Sequence, residues 1–140
     1  MKGDAAARYC RQALLLSTAF AALTCATDFP VRAQSVTISG DVDPSPAQSP
    51  NWAVGGDLQI GFAGAGTLDI LAGGQVGGVE GVVGAGGTGD ALGRGPGSSW
   101  QNSGRLSVGL FGTGNLRVEA GAAVSSADGI IGDSARGDAV

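Results

Sequence analysis

From residue 49 onward, apolar residues alternate with polar ones over short spans, and glycine-rich segments separate these spans. Leu58 and Ile60 stand two residues apart, as do Leu68 and Ile70. This spacing puts both side chains of a pair on one face of a β-strand. All glycines except Gly3 follow residue 33, and an interior glycine costs a helix about 1 kcal/mol relative to alanine. The pattern therefore predicts short strands joined by glycine-rich corners, and no ordinary helices.

When the sequence is aligned with itself so that Trp52 matches Trp100, the same pattern occurs twice without a gap. This shift also aligns Leu58 with Leu106, and it aligns most of the glycines between them. Residues 49–96 form one copy, and residues 97–140 form a second, slightly shorter copy. A fixed period in this range is typical of solenoids, propellers and repeat arrays. Because a coil of a parallel β-helix uses some twenty residues, each copy is expected to make about two coils.

Such an array has inward and outward positions. We expect the leucine, isoleucine and valine side chains to stack inward in columns, with glycines at the corners. Trp52 and Trp100 hold one fixed position of the repeat, which favours packing in the core over exposure for sugar binding. Four variable polar residues are expected to point outward: Gln59, Asp69, Ser107 and Arg117.

The N-terminus has the features of a secretory signal peptide. Lys2, Arg8 and Arg11 form a basic start, an apolar or small-residue run covers 13–26, and small residues lead to Ala33. This order predicts a signal peptide over residues 1–33, since the apolar run is short for a membrane span, which needs roughly 20 residues. An N-terminal anchor helix and lipoprotein processing at Cys25 are the alternatives.

Removal of residues 1–33 would leave a chain without cysteine, lysine or histidine. Four arginines then face ten acidic residues, for a net charge of −6. This balance argues against nucleic acid and anionic membranes as partners. Residues 34–48, with three prolines within 44–50, are predicted to form an extended linker or entry segment before the repeats.

One stretch of the second copy resembles a known repeat. Read from Ser98 to Val124, the series SxWxNSGxLxVGxxGxGxLxVxxGxxV is similar to repeats in the passenger regions of bacterial autotransporters, and in PEP-CTERM-associated surface proteins. The resemblance implies a right-handed parallel β-helix that reaches the cell surface through an outer-membrane β-barrel. No such barrel follows in this sequence, so the chain is expected to be a piece of a longer surface protein.

Several short motifs suggest chemistry, and each also has a structural interpretation. Arg136, Gly137 and Asp138 spell a tripeptide associated with integrin binding, a possible adhesion motif, although the repeat frame alone accounts for the glycine and the aspartate. GAGGTG at 84–89 matches a dinucleotide-binding pattern, but the proline and glycines after it exclude the helix that such a site needs. GGTGDALGR at 86–94 begins like a calcium-binding nonapeptide. GDS at 132–134 resembles an esterase motif that would need a histidine base.

Paired carboxylates are the remaining route to hydrolysis. Asp57, Asp69 and Glu80 are candidates if stacking brings them together. However, Asp57 and Asp69 align with Arg105 and Arg117 in the second copy, which favours charge pairing between coils.

The sequence therefore predicts an all-β, non-enzymatic repeat region without a cofactor or metal, exported to the cell surface or the medium as a stalk or adhesin-like passenger. Host or cell-surface glycans or proteins are the expected partners. A secreted β-helical carbohydrate-active enzyme and a small secreted binding module are the alternatives.

Overall fold

A computed structural model describes residues 33–134 and 136–140. Within these residues the chain forms strands and no helix, and hence no helix able to cross a membrane. Apart from Ala33, the predicted signal peptide lies outside the described residues. The strands are β1 (Ser35–Gly40), β2 (Val42–Asp43), β3 (Asn51–Ala53), β4 (Leu58–Ile60), β5 (Ala65–Leu71), β6 (Gln75–Gly78), β7 (Gly81–Val83), β8 (Thr88–Arg94), β9 (Ser99–Asn102), β10 (Arg105–Val108), β11 (Thr113–Glu119), β12 (Ala123–Ser125), β13 (Asp128–Ile131) and β14 (Gly137–Ala139).

The strands stack as a β-solenoid of about four turns, which confirms the predicted all-β solenoid fold. Each coil contributes one strand to each of three sheets: coil 1 is β3–β5, coil 2 is β6–β8, coil 3 is β9–β11 and coil 4 is β12–β14. Sheet A has the order β1-β5-β8-β11-β14, sheet B the order β2-β4-β7-β10-β13, and sheet C the order β3-β6-β9-β12. All pairs between coils are parallel.

Two coils make up one sequence repeat because alternate coils place their corners differently. Partners in sheet C are evenly spaced along the chain, at Asn51, Gln75, Ser99 and Ala123. Partners in sheet B are unevenly spaced, since the step from Leu58 to Gly81 is shorter than the step from Gly81 to Leu106. In every second coil, one corner is therefore one residue shorter and another corner is one residue longer. For this reason a coil matches in sequence the coil two places along the solenoid and not its immediate neighbour.

The core consists of inward columns that run from coil to coil. Leu58 and Leu106 flank Gly81 in one column of sheet B, so both leucines lie in the same inward column, as the repeat predicts. Trp52 and Trp100 lie in a column with Val76 between them and are 4% and 1% exposed, which confirms that the indoles belong to the core. The remaining buried aliphatic residues are Val36, Val42, Ile60, Leu68, Ile70, Val83, Ala91, Val108 and Leu116.

Glycine forms the corner between sheets B and A in every coil. Gly84 has a φ of +74°, and a Cβ built on it would overlap the carbonyl of Thr113 in the next coil. Only glycine combines a positive φ with this close approach of neighbouring backbones. The same corner position is held by Gly61, Gly84, Gly109 and Gly132.

Residues 34–48, expected as an extended entry segment, contain β1 and β2, which cover the first coil. β1 pairs with β5 and β2 pairs with β4, both antiparallel. Asp41, between β1 and β2, lies against the corner of coil 1. Its carbonyl accepts a hydrogen bond from Gly61 N at 2.7 Å, and its carboxylate accepts hydrogen bonds from Ala63 N and Gly64 N, each at 2.7 Å. In coil 2 the corresponding corner amides donate to the carbonyl of Gly61. The Asp41 carboxylate thus replaces the carbonyl of a preceding coil.

Two expectations about outward positions are wrong. Ser107 is 3% exposed, because its column places this short side chain between Val82 and Ile130. Asp69 and Arg117 do not pair between neighbouring coils, because they lie two coils apart. Leu92 occupies the position between them in sheet A.

Candidate functional site

The strands of sheet A carry six of the fourteen charged side chains in the described part of the chain. Thr67, Asp90, Asn115 and Asp138 follow one another in a column across the four coils. Asn115 Nδ2 donates to Asp90 Oδ1 at 2.7 Å. Beside this column lies an open recess of about 230 Å³, lined by Thr67, Asp69, Asp90, Ala91, Leu92, Asn115 and Arg117.

The charges on this face largely neutralise one another. Glu119 contacts Arg117 on its own strand and Arg94 on the adjacent coil, the latter with a 3.8 Å separation between Nε and Oε2. These side chains are partly exposed, and such pairs contribute about 0–1 kcal/mol each. The ion pairs along sheet A therefore bring opposite charges together, so this face does not concentrate one sign of charge.

The outward face of sheet C has a different character, since none of its side chains is charged. Its eight outward positions form two columns, which are Asn51, Gln75, Ser99 and Ala123, and Ala53, Gly77, Gln101 and Ser125. Gly77 leaves a depression in the second column, because a Cβ built on it would meet nothing within 4 Å.

Two recesses meet on this face of sheet C. The larger, of about 520 Å³, is lined by Ala53, Gly55, Gly77, Gly78, Val79, Gln101, Asn102, Ser103 and Ser125. The smaller, of about 220 Å³, is lined by Asn51, Trp52, Ala53, Gln75, Val76, Gly77, Ser99 and Gln101. Because Ala53, Gly77 and Gln101 line both, the two recesses form one groove, which we call the sheet C groove.

The side chain of Asn102 lies beneath the sheet C groove, on the inward face of β9, where Nδ2 is close to Gly81. This residue is 6% exposed, and neither Oδ1 nor Nδ2 has a hydrogen-bond partner among the described residues. The same holds for Nε1 of Trp100, which is buried beside it. A buried amide without partners is unusual, because desolvation of each unpaired polar group costs about 1–3 kcal/mol.

The adhesion tripeptide lies on the last strand of sheet A. Gly137 and Asp138 pair with Gly114 and Asn115 of β11, and Arg136 directly precedes them. Arg136 Nε and Asp138 Oδ2 are 3.2 Å apart and both side chains are largely exposed. The two charged groups of the motif thus face each other on one side of an extended strand.

The remaining motifs occupy corners and strands of the solenoid. GAGGTG at 84–89 covers the corner between β7 and β8 and the first two residues of β8, and this strand continues where a dinucleotide site would need a helix. GGTGDALGR at 86–94 runs from that corner into β8, and GDS at 132–134 lies between β13 and β14. In the described part of the chain no three histidine, cysteine, aspartate or glutamate side chains form a group suited to a metal ion.

The structure separates the three candidate acids. Asp57 and Glu80 directly precede Leu58 and Gly81, which are partners in sheet B, so these two acids lie on neighbouring coils at one exposed corner. Asp69 lies instead on sheet A, where it lines the recess that also contains Asp90.

Sequence reasoning missed the sheet C groove, although its signal was present. A comparison at the full repeat aligns Asn51 with Ser99 and leaves Gln75 out, since Gln75 belongs to the intervening coil. A comparison at half that shift brings all three polar residues into one column. Comparison with family models, curated proteins and solved structures finds no match to this chain.

Proposed function

We propose that this protein is an exported, non-enzymatic β-solenoid that serves as a stalk or adhesive surface, in the manner of an autotransporter passenger. The observation that carries the proposal is the contrast between inward and outward columns. The inward columns repeat aliphatic residues and tryptophan, whereas the outward columns of sheets A and C change from coil to coil. A scaffold of this kind presents varied side chains on a constant backbone, which suits surface display.

Export is tested by placing an epitope tag at Gly86, in an exposed corner, and labelling intact Gram-negative cells that express the full chain. We expect the tag on the cell surface or in the medium. The substitution Leu15→Asp, within the apolar run, is expected to retain the protein inside the cell. A tag that stays in the cytoplasm in both proteins would contradict the proposal.

Adhesion through the tripeptide is tested separately. In a cell-adhesion assay with the purified protein, Asp138→Glu keeps the charge but shifts the carboxylate relative to Arg136. Reduced binding to integrin-bearing cells would support a role for Arg136, Gly137 and Asp138. Unchanged binding would remove that role and leave the structural interpretation of the motif.

One observation favours a β-helical carbohydrate-active enzyme as the second candidate. Asp69 and Asp90 line one recess together with Arg117, and two carboxylates beside a cleft are the machinery of glycoside hydrolysis. Release of reducing ends from a polysaccharide panel, abolished by Asp69→Asn and by Asp90→Asn but not by Asp57→Asn, would establish this function.

A further inference from the structure

We propose that the sheet C groove binds a neutral glycan, with the extended sugar chain lying along the solenoid axis. This inference rests on the proposed adhesive role, which it narrows to one face of the solenoid and one chemical class of partner. The groove is shallow and open, and its lining residues run from coil 1 to coil 4.

The charge of the groove decides which polymers it suits. All of its lining residues are uncharged. Nucleic acids and other polyanions depend on lysine and arginine for most of their affinity, and the sheet C groove supplies neither. A neutral polymer is therefore favoured over a charged one.

The hydrogen-bonding groups of the groove match hydroxyl groups. Each primary amide offers two donors and one acceptor oxygen, and each serine hydroxyl both donates and accepts. The exposed amides of Asn51, Gln75 and Gln101 stand beside Ser99 and Ser125. Sugar hydroxyls also donate and accept, so they can satisfy both kinds of group.

The backbone of sheet C argues against an extended peptide in the groove. A peptide that adds as a strand needs an unpaired strand edge. The floor of the groove is instead the face of β6 and β9, whose backbones pair with each other and with β3 and β12. Recognition on this face must therefore come from side chains.

The spacing of the polar groups suits a periodic ligand. Asn51, Gln75 and Ser99 occupy one register position on successive coils, and neighbouring strands lie about 4.8 Å apart. This step is comparable to the length of one sugar ring in an extended glycan. Successive coils can thus contact successive sugars.

The test uses the purified protein, an array of neutral and anionic polysaccharides, and titration calorimetry on any polysaccharide retained. We expect binding of a neutral glycan and not of its sulfated or carboxylated counterparts. The double variant Gln75→Ala and Gln101→Ala should lower the affinity about tenfold or more, because two hydrogen bonds are lost. The matched control Gln59→Ala removes an amide from sheet B and should bind as the unaltered protein does.

Thermal unfolding of the double variant separates loss of a ligand contact from loss of the fold. Because Gln75 and Gln101 are exposed, we expect this variant to bind more weakly while its unfolding midpoint stays that of the unaltered protein. The proposal is overturned if no neutral glycan binds, if the double variant binds as tightly as the unaltered protein, or if the double variant instead abolishes self-association. Since binding is measured on purified protein, its failure is distinct from a failure of export.

Discussion

The indole of Trp100 occupies the space that a side chain at Gly81 would need. A Cβ built on Gly81 would lie 2.7 Å from Cζ2 of Trp100 and 2.9 Å from Cδ1 of Leu106. Gly81 is itself buried on the inward face of sheet B. The core therefore alternates between large and absent side chains along the solenoid axis, with Leu58, Gly81 and Leu106 in successive coils.

Gly81→Ala is expected to destabilise the protein. The added methyl group must displace the indole of Trp100, and overpacking of this kind costs about 1–3 kcal/mol. Gly129 holds the same repeat position in coil 4, where a Cβ would meet nothing within 4 Å, so Gly129→Ala is the matched control and should change stability little. Urea unfolding followed by tryptophan fluorescence measures both. Equal effects of the two substitutions would show that the indole does not limit the space at Gly81.

Gly84→Ala is expected to disturb the contact between coils 2 and 3. Both Gly84 and Gly55 have a φ near +75°, but only at Gly84 would a Cβ overlap the backbone of the next coil. The positive φ alone costs an alanine about 1–2 kcal/mol, so Gly55→Ala reports this part. Gly84→Ala should cost at least about 2 kcal/mol more, because β8 and β11 cannot keep their spacing. Thermal unfolding by circular dichroism compares the two, and similar midpoints would contradict close stacking at the corner.

The repeat predicts the inward-facing residues well, because an inward position of the repeat faces the core in every coil. Leu58, Leu106, Trp52 and Trp100 lie in the core as their register in the sequence implies. Outward positions depend on the neighbouring coil, and a sequence comparison at the full repeat skips that coil. This is why the sequence wrongly predicts an exposed Ser107 and a pairing of Asp69 with Arg117 between neighbouring coils.

The covering of coil 1 could not be predicted for a different reason. β1 and β2 run antiparallel to the strands that they cover, and they share no frame with the repeat. The role of the Asp41 carboxylate depends on two corner amides, those of Ala63 and Gly64, which the fold brings to it from more than twenty residues away. No local pattern in the sequence encodes such a contact.

Asn102→Val is expected to stabilise the protein. Val54 holds the same repeat position in coil 1 and packs against the core, so the corner accepts a valine. Removal of a buried amide without partners should raise the free energy of unfolding by about 1–2 kcal/mol. The reverse substitution, Val54→Asn, should lower it. Chemical denaturation of both variants measures the two changes, and a loss of stability in Asn102→Val would mean that the amide has a stabilising partner.

Asp41 is expected to make stability depend on pH in the acidic range. Hydrogen bonds from the backbone N–H groups of Ala63 and Gly64 hold the pKa of the Asp41 carboxyl below its ordinary value of 3.8. A carboxyl whose pKa is lower in the folded state stabilises the fold above the unfolded pKa, and that contribution is lost as the pH falls through the folded pKa.

The unfolding midpoint should therefore fall as the pH is lowered below about 4, and Asp41→Asn should flatten this dependence. At pH 6 the substitution is expected to destabilise, because an amide oxygen is a weaker acceptor than a carboxylate for the corner N–H groups. As the pH falls, the midpoints of the variant and of the unaltered protein should converge, since protonation of Asp41 leaves a neutral group at this position in both. Asp57→Asn, which removes an exposed charge at another corner, is the control. A difference between Asp41→Asn and the unaltered protein that stays constant from pH 6 to pH 2 would show that the carboxylate does not hold the first corner of the solenoid.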